Sequence, residues 1–167
     1  MNTSKVIGAQ NSSIIYTERP TVKALIINEI GKVLIINEGL LPGGGVEDHE
    51  DNVIALAREI IEEVDITVSD IHKLASVIQY RDFLKKKYII NGYTARYVDN
   101  SRQTLPQDEG EARFTYSWRS IEDAIKLVDF SINQTENTKA LVDDAYQGKL
   151  FNLQTTRVLL DSFANRS

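Results

Sequence analysis

Residues 41–45 read Leu-Pro-Gly-Gly-Gly, and seven residues after Gly45 the chain enters the apolar-periodic stretch Asn-Val-Ile-Ala-Leu-Ala-Arg-Glu-Ile-Ile-Glu-Glu-Val. No strand or helix interior tolerates that glycine run, so regular structure must stop there and restart as a helix over about Asp51–Val64. At about 100° per residue, Val53, Leu56, Ala57, Ile60 and Val64 fall within about a quarter-turn of arc, and Ile54 and Ile61 widen that face. Glu59, Glu62 and Glu63 occupy a separate arc. They stand at i,i+3 and i,i+4 steps, so their side chains are neighbours and repel by a few tenths of a kcal/mol per exposed pair. Arg58 is the only cation in the segment, which leaves the cluster under-neutralised. A hard divalent cation, Mg²⁺ or Mn²⁺, resolves that conflict with oxygen ligands alone. An acidic helix face by itself is usually just solvated. Here the upstream glycines change the reading, because they let backbone approach a ligand closely and aim N–H groups at phosphate oxygens.

The rest of the chain reads as one α+β domain over residues 1–167, with no Pro-, Gly- or Ser-rich linker. Up to about Pro20 there is no clear period, which suits an arm or an edge strand. Val22–Asn28 and Lys32–Asn37 form two β-rich runs joined through Gly31 and are expected to pair as an antiparallel hairpin. Further strands are expected at about Leu74–Tyr80, Tyr88–Tyr97 and Ala112–Trp118. Lys85, Lys86 and Lys87 fall at the turn between the first two and read as a solvated hairpin tip. Ser120 is placed to cap a short helix. The C-terminal part, from about residue 134, reads as helices over about Glu136–Tyr146 and Leu153–Phe163, broken at Gly148. Leu150, Phe151, Leu153, Val158, Leu159, Leu160 and Phe163 exceed what one core face needs, and a leftover apolar face would suit a homodimer contact.

Composition narrows the function. With 19 Lys+Arg against 24 Asp+Glu the net charge is −5, so the chain has no global attraction for a nucleic acid. There are no cysteines, which excludes disulfides, cysteine-ligated metals and thiol chemistry. Neither a signal peptide nor an apolar run of membrane-spanning length is visible, so a cytoplasmic protein is expected. His49 and His72 are lone histidines, and Trp118 and the tyrosines read as packing residues.

The segment Gly44–Ile66 resembles the box of the Nudix hydrolase family, written Gx5Ex7REUxEExGU with U a bulky aliphatic. Gly44, Glu50, Arg58, Glu59, Ile60, Glu62, Glu63 and Ile66 fill eight of the nine fixed positions, and only the late glycine departs, being Asp65. That position lies just past the helix end, where a left-handed residue is wanted, and Asp enters that conformation more readily than most. Asp65 therefore reads as a small stability defect at the negative end of the helix dipole.

The resemblance implies an α/β/α sandwich with a mixed β-sheet, the box forming a loop–helix–loop. It implies metal-dependent hydrolysis of a pyrophosphate bond in a nucleoside diphosphate linked to another moiety X. Mg²⁺ is the implied cofactor, with Mn²⁺ as the substitute, and the implied partner is a small-molecule nucleotide derivative. Carried over by position, Glu59 and Glu63 are metal ligands, and Glu62 is a ligand or an orienting group. The carbonyl of Gly44 or a neighbour completes the shell. Gly43, Gly44, Gly45 and Arg58 contact the substrate side, while Arg58 also pairs with Glu50 to hold the loop–helix junction. A general base in this family often lies on a later loop, and Glu109, or next Glu111, would supply it. The competing reading is a Nudix-fold module that binds a nucleotide or sugar-nucleotide as a sensor without cutting it.

Overall fold

The computed structural model describes residues 4–98, 114–136 and 143–166. Six strands form one mixed sheet in the order β1-β4-β5-β2-β3-β6, with β1 Lys5–Ile7, β2 Thr17–Ile27, β3 Val33–Ile36, β4 Thr67–Arg81, β5 Lys86–Val98 and β6 Tyr116–Arg119. Helix α1 (Asn52–Val64) covers one face. Helices α2 (Ile121–Glu136) and α3 (Asp144–Ala164) cover the other.

The two-residue period of β2 sorts its side chains between these layers. Val22, Ala24 and Ile26 pack with Leu34 and Ile36 of β3 and with Leu56, Ile60 and Val64 of α1. Leu25, on the opposite face, joins Val33, Ile35, Val128, Leu159 and Leu160. Each fully buried Leu or Ile of this kind contributes about 1.5–3 kcal/mol by leaving water. Val53 and Ile54, in the first turn of α1, stay exposed despite lying on or beside its apolar arc.

The hairpin expected around Gly31 is present, with Ile27 opposite Val33, but it is the smaller part of the strand pairing. β2 starts at Thr17 and runs parallel to β5 along its whole length, from Thr17 opposite Lys86 to Ile27 opposite Arg96. Residues 17–20 therefore belong to β2, while β1 is the edge strand expected near the N-terminus and pairs parallel with β4. β4 and β5 are longer than their apolar runs suggest and are joined by a short 3₁₀ turn, Asp82–Leu84. The third β run appears as β6, and residues 112–113 lie outside the described residues.

Two helical expectations are corrected. Ser120 does cap α2, its Oγ accepting from the Asp123 N–H, but α2 is long, with 16 residues. Gly148 does not break the C-terminal helix: α3 is continuous over 21 residues. The glycine there makes room, since a Cβ at position 148 would lie 2.3 Å from Nη2 of Arg81. Residues 137–142, within the other expected C-terminal helix, lie outside the described residues.

Candidate active site at the glycine loop

Because β3 has only four residues, most of one edge of β2 is left for the loop that follows it. Residues 42–46 fill that edge. Ala24 N–H donates to the Pro42 carbonyl (2.9 Å), Val22 N–H to Gly44 (2.9 Å), and Val46 N–H to Pro20 (3.0 Å). The glycine run is thus pinned to the sheet as an irregular edge strand. Gly43 sits at φ 132°, and a Cβ there would lie 2.1 Å from the Val22 carbonyl oxygen, so no other residue fits without moving backbone.

Helix α1 then aims its carboxylates at this edge. Asp51 caps it, its side chain accepting from the Val53 and Ile54 N–H groups at 2.9 Å. Asp65 ends it at φ 55° and ψ 45°, the left-handed conformation expected of the missing glycine, with its N–H donating to Ile61. Between these caps, Glu63 Oε2 accepts the Gly43 N–H at 2.7 Å. The Glu59 carboxylate lies in the notch left by Gly44, where a Cβ would meet its oxygens at 2.5–2.6 Å. Glu62, on the outer side, is 3.3 Å from Arg58 Nη1 and 45% exposed.

Arg58 ties the helix to the loop. Its Nε and Nη2 donate to both oxygens of Glu50 at 2.9 and 3.0 Å, Nη2 also donates to the Gly45 carbonyl (3.0 Å), and Nη1 donates to Glu59 (2.9 Å). The guanidinium, with the Glu47 N–H, holds the Glu50 carboxyl down at about 2. Glu50 in turn raises the Arg58 pKa.

The sequence reading missed Lys23. Its Nζ donates to the carbonyls of Leu41 (3.1 Å) and Gly43 (2.6 Å). Gly43 is therefore gripped on both sides, its N–H by Glu63 and its carbonyl by Lys23. Burial lowers the Lys23 pKa against the pull of Glu63 and Glu59. Burial likewise raises the Glu63 pKa, reinforced by Glu59 and Glu62 and opposed by Lys23 and the Gly43 N–H. The signal was a cation inside the apolar strand Val-Lys-Ala-Leu-Ile-Ile, in phase with the inward-facing Leu25.

The glycine loop also lines a pocket of about 420 Å³ on the α2/α3 side of the sheet. Arg19, Lys23, Arg81, Lys86 and Tyr88 contribute to its walls. The lysine run at the β4–β5 turn is thereby divided: Lys85 is a left-handed residue closing the turn, Lys86 lines the pocket, and Lys87 pairs with Glu18 at 2.8 Å. Trp118 packs edge-on against Tyr97 at 5.3 Å, on the α1 side. Glu109 and Glu111 lie outside the described residues, although the chain re-enters beside the helix, where Phe114 N–H donates to the Glu63 carbonyl (3.1 Å).

This layered fold and the gripped glycine loop agree with the comparison to known families, where the NUDIX domain model matches residues 17–140. The chain belongs to the Nudix family. Among solved structures, this Nudix protein is similar to the MutT protein from Methanosarcina mazei Go1, at 27% identity over 65% of this chain and 80% of that one, with a TM-score of 0.46. It is similar to a NUDIX hydrolase from Nitrosomonas europaea at 22% identity, over 64% of this chain and 75% of that one, with a TM-score of 0.50. That second likeness is one of fold. No curated protein matches the chain.

Two observations test whether the loop and helix suit a metal ion. Glu63 and Glu59 present hard oxygen donors from α1 beside Gly43 and Gly44, and the Glu63 pKa is raised by burial first and by its acidic neighbours in addition. That donor chemistry fits a hard divalent cation. Among the described residues, however, no three His, Asp or Glu side chains already converge as a cage. No helix among them is long and apolar enough to cross a membrane.

Proposed function

We propose that this Nudix protein is a divalent-metal-dependent hydrolase that cuts a pyrophosphate bond in a nucleoside diphosphate linked to a moiety X. The observation that carries the reading is the convergence of Glu59 and Glu63 on the glycine loop that their box predicts they should face. Water adds its oxygen to one phosphorus, the P–O bond to the bridging oxygen breaks, and that oxygen leaves on the other phosphate. The products are a nucleoside monophosphate and the phosphate of X, with the protons of water released to base and solvent.

Glu59 and Glu63, with Glu62 and a loop carbonyl, would hold Mg²⁺ or Mn²⁺. A bound divalent ion there supplies charge neutralisation at phosphate and a more acidic water. Gly43, Gly44 and Gly45 orient the substrate by close backbone approach. Arg58 keeps the loop and helix in register through Glu50 and the Gly45 carbonyl, so its part is positioning. Glu109 is the proposed general base, with Glu111 as its alternate, and single Gln substitutions at each would separate them. Near-normal turnover in both variants would remove that stretch from the mechanism.

The test is hydrolysis across nucleoside triphosphates, nucleotide sugars, ADP-ribose and dinucleotides with Mg²⁺, Mn²⁺ or EDTA. Turnover that needs metal and falls in Glu63→Gln is expected. Silence across the panel, with nucleotides still raising the melting temperature, would favour the sensor reading instead.

A further inference from the structure

The pocket behind the glycine loop has an unusual wall for a chain of net charge −5. Four of its 11 lining residues are cationic and none is acidic. They come from three strands. Arg19 and Lys23 project from β2 and Lys86 from β5, brought level by the parallel register that places Thr17 opposite Lys86 and Arg19 opposite Tyr88. Arg81 ends β4.

Their bonding states differ in a telling way. Lys23 is engaged by the Leu41 and Gly43 carbonyls, and Arg81 Nη2 is 3.1 Å from Asp144 Oδ1. Arg81 Nε is nevertheless buried with no hydrogen-bond partner among the described residues. The side chains of Arg19 and Lys86 have no hydrogen bond or ion pair among those residues either, and Arg19 lies against Gly45, where a Cβ would be 2.1 Å from its Nη2. A buried orphan donor is destabilising unless something accepts from it. Unpaired cations gathered in one concave wall reinforce each other's attraction for an anion.

An apolar slot for a nucleobase would look different. The pocket's one aromatic ring, Tyr88, is covered by the Arg81 guanidinium at 5.4 Å from its centroid. That leaves guanidinium and ammonium donors as the recognising groups, and their planar and point-charge geometries suit phosphate oxygens.

We propose that this pocket is an anion subsite that holds a phosphate of the substrate other than the two joined by the bond that is cut. The proposal builds on the hydrolase reading and narrows its substrate class to nucleotides carrying an extra phosphate. That phosphate comes either from a longer polyphosphate chain or from a phosphate monoester on X. Because the subsite and the carboxylates share the glycine loop, a substrate spans the loop with its scissile bond on the α1 side.

The test separates binding from chemistry. Inorganic pyrophosphate is titrated calorimetrically in EDTA into the wild type, Arg19→Gln, Lys86→Gln and the control Arg96→Gln, which removes an exposed cation paired with Asp70 elsewhere on the sheet. About a tenfold or greater loss of affinity in the first two, and less than about twofold in the control, is expected, since each pocket contact is a charge-assisted bond. Equal affinity in all four proteins, or no pyrophosphate binding by the wild type, overturns the subsite. In the kinetic arm, kcat/KM is compared for a nucleoside triphosphate, the matching diphosphate, a nucleotide sugar and the same sugar nucleotide bearing a phosphate monoester. Arg19→Gln and Lys86→Gln should lower kcat/KM for whichever phosphate-rich substrate is used and spare its phosphate-poor partner. A uniform loss across all pairs overturns the proposal. If no substrate turns over but pyrophosphate binding still depends on Arg19 and Lys86, the hydrolase reading fails and the subsite stands.

Discussion

The two sides of the glycine loop carry opposite charge. On the α1 side stand Glu59, Glu62 and Glu63, with Arg58 as the one cation of the helix. On the α2/α3 side stand Arg19, Lys23, Arg81 and Lys86. Five backbone residues separate these fields, and Gly43 bonds to both, through its N–H to Glu63 and through its carbonyl to Lys23. A phosphate chain lying across such a boundary meets direct cations on one side. On the other it can be approached by carboxylates only if a metal intervenes. Polarity across the loop, more than total charge, is what the proposed polyanionic substrate would meet.

The comparison is broken most directly from the acidic side. Glu63→Gln should lower turnover of every substrate by about 100-fold or more, because even partners one shell removed from a metal cost 10–100-fold. A selective effect on phosphate-rich substrates alone would mean that the two sides are not functionally distinct. Steady-state kinetics on a substrate pair decides it.

Damage to the shared element should harm both sides together. Gly43→Ala forces a side chain into φ 132° and against the Val22 carbonyl, with an expected loss of about 2–3 kcal/mol in urea unfolding. Retained stability with intact pyrophosphate affinity would show that the loop does not link the two fields.

Acid sensitivity sharpens the α1 side. Glu50 is held at about 2, below its ordinary 4.5, chiefly by its hydrogen bonds from Arg58. Its lowered pKa adds stability that is complete above about 4.5 and is lost as pH falls toward 2. In Arg58→Gln the urea midpoint should therefore drop less steeply between those pH values than in the wild type. Parallel pH profiles for the two proteins would remove the Glu50–Arg58 pair from the account.

The smallest stability effect is expected on the basic side. Gly148→Ala would place its Cβ 2.3 Å from Arg81 Nη2, the movable end of a flexible side chain, while improving helix propensity by up to about 1 kcal/mol. The melting temperature should scarcely change, yet pyrophosphate affinity should fall because Arg81 is displaced. An unchanged affinity would take Arg81 out of the pocket's function.

The acidic half of the site was legible because its information is local. The helical period over about Asp51–Val64, the i,i+3 and i,i+4 carboxylates, the Glu50–Arg58 pair and the left-handed Asp65 all lie within one helix and its two ends, where a hydrogen-bond period sets every spacing. The basic half was not. Arg19, Lys23, Arg81 and Lys86 are scattered over three strands: Arg81 and Lys86 face each other across the antiparallel β4–β5 pair, and they meet Arg19 and Lys23 because β2 and β5 run parallel. A tight hairpin announces itself in its turn, whereas parallel partners are chosen by what the whole sheet buries. Gly148 was misread for the same reason: judged alone it breaks a helix, while in the fold it clears space for an arginine from a strand 67 positions earlier. By itself, then, the sequence determined the helix, its left-handed stop at Asp65 and the carboxylates it carries, since these depend on neighbours a few residues apart. Tertiary structure alone decided which cations face the other side of the glycine loop, because that depends on long-range strand register and on which side chains the α2/α3 layer leaves room for.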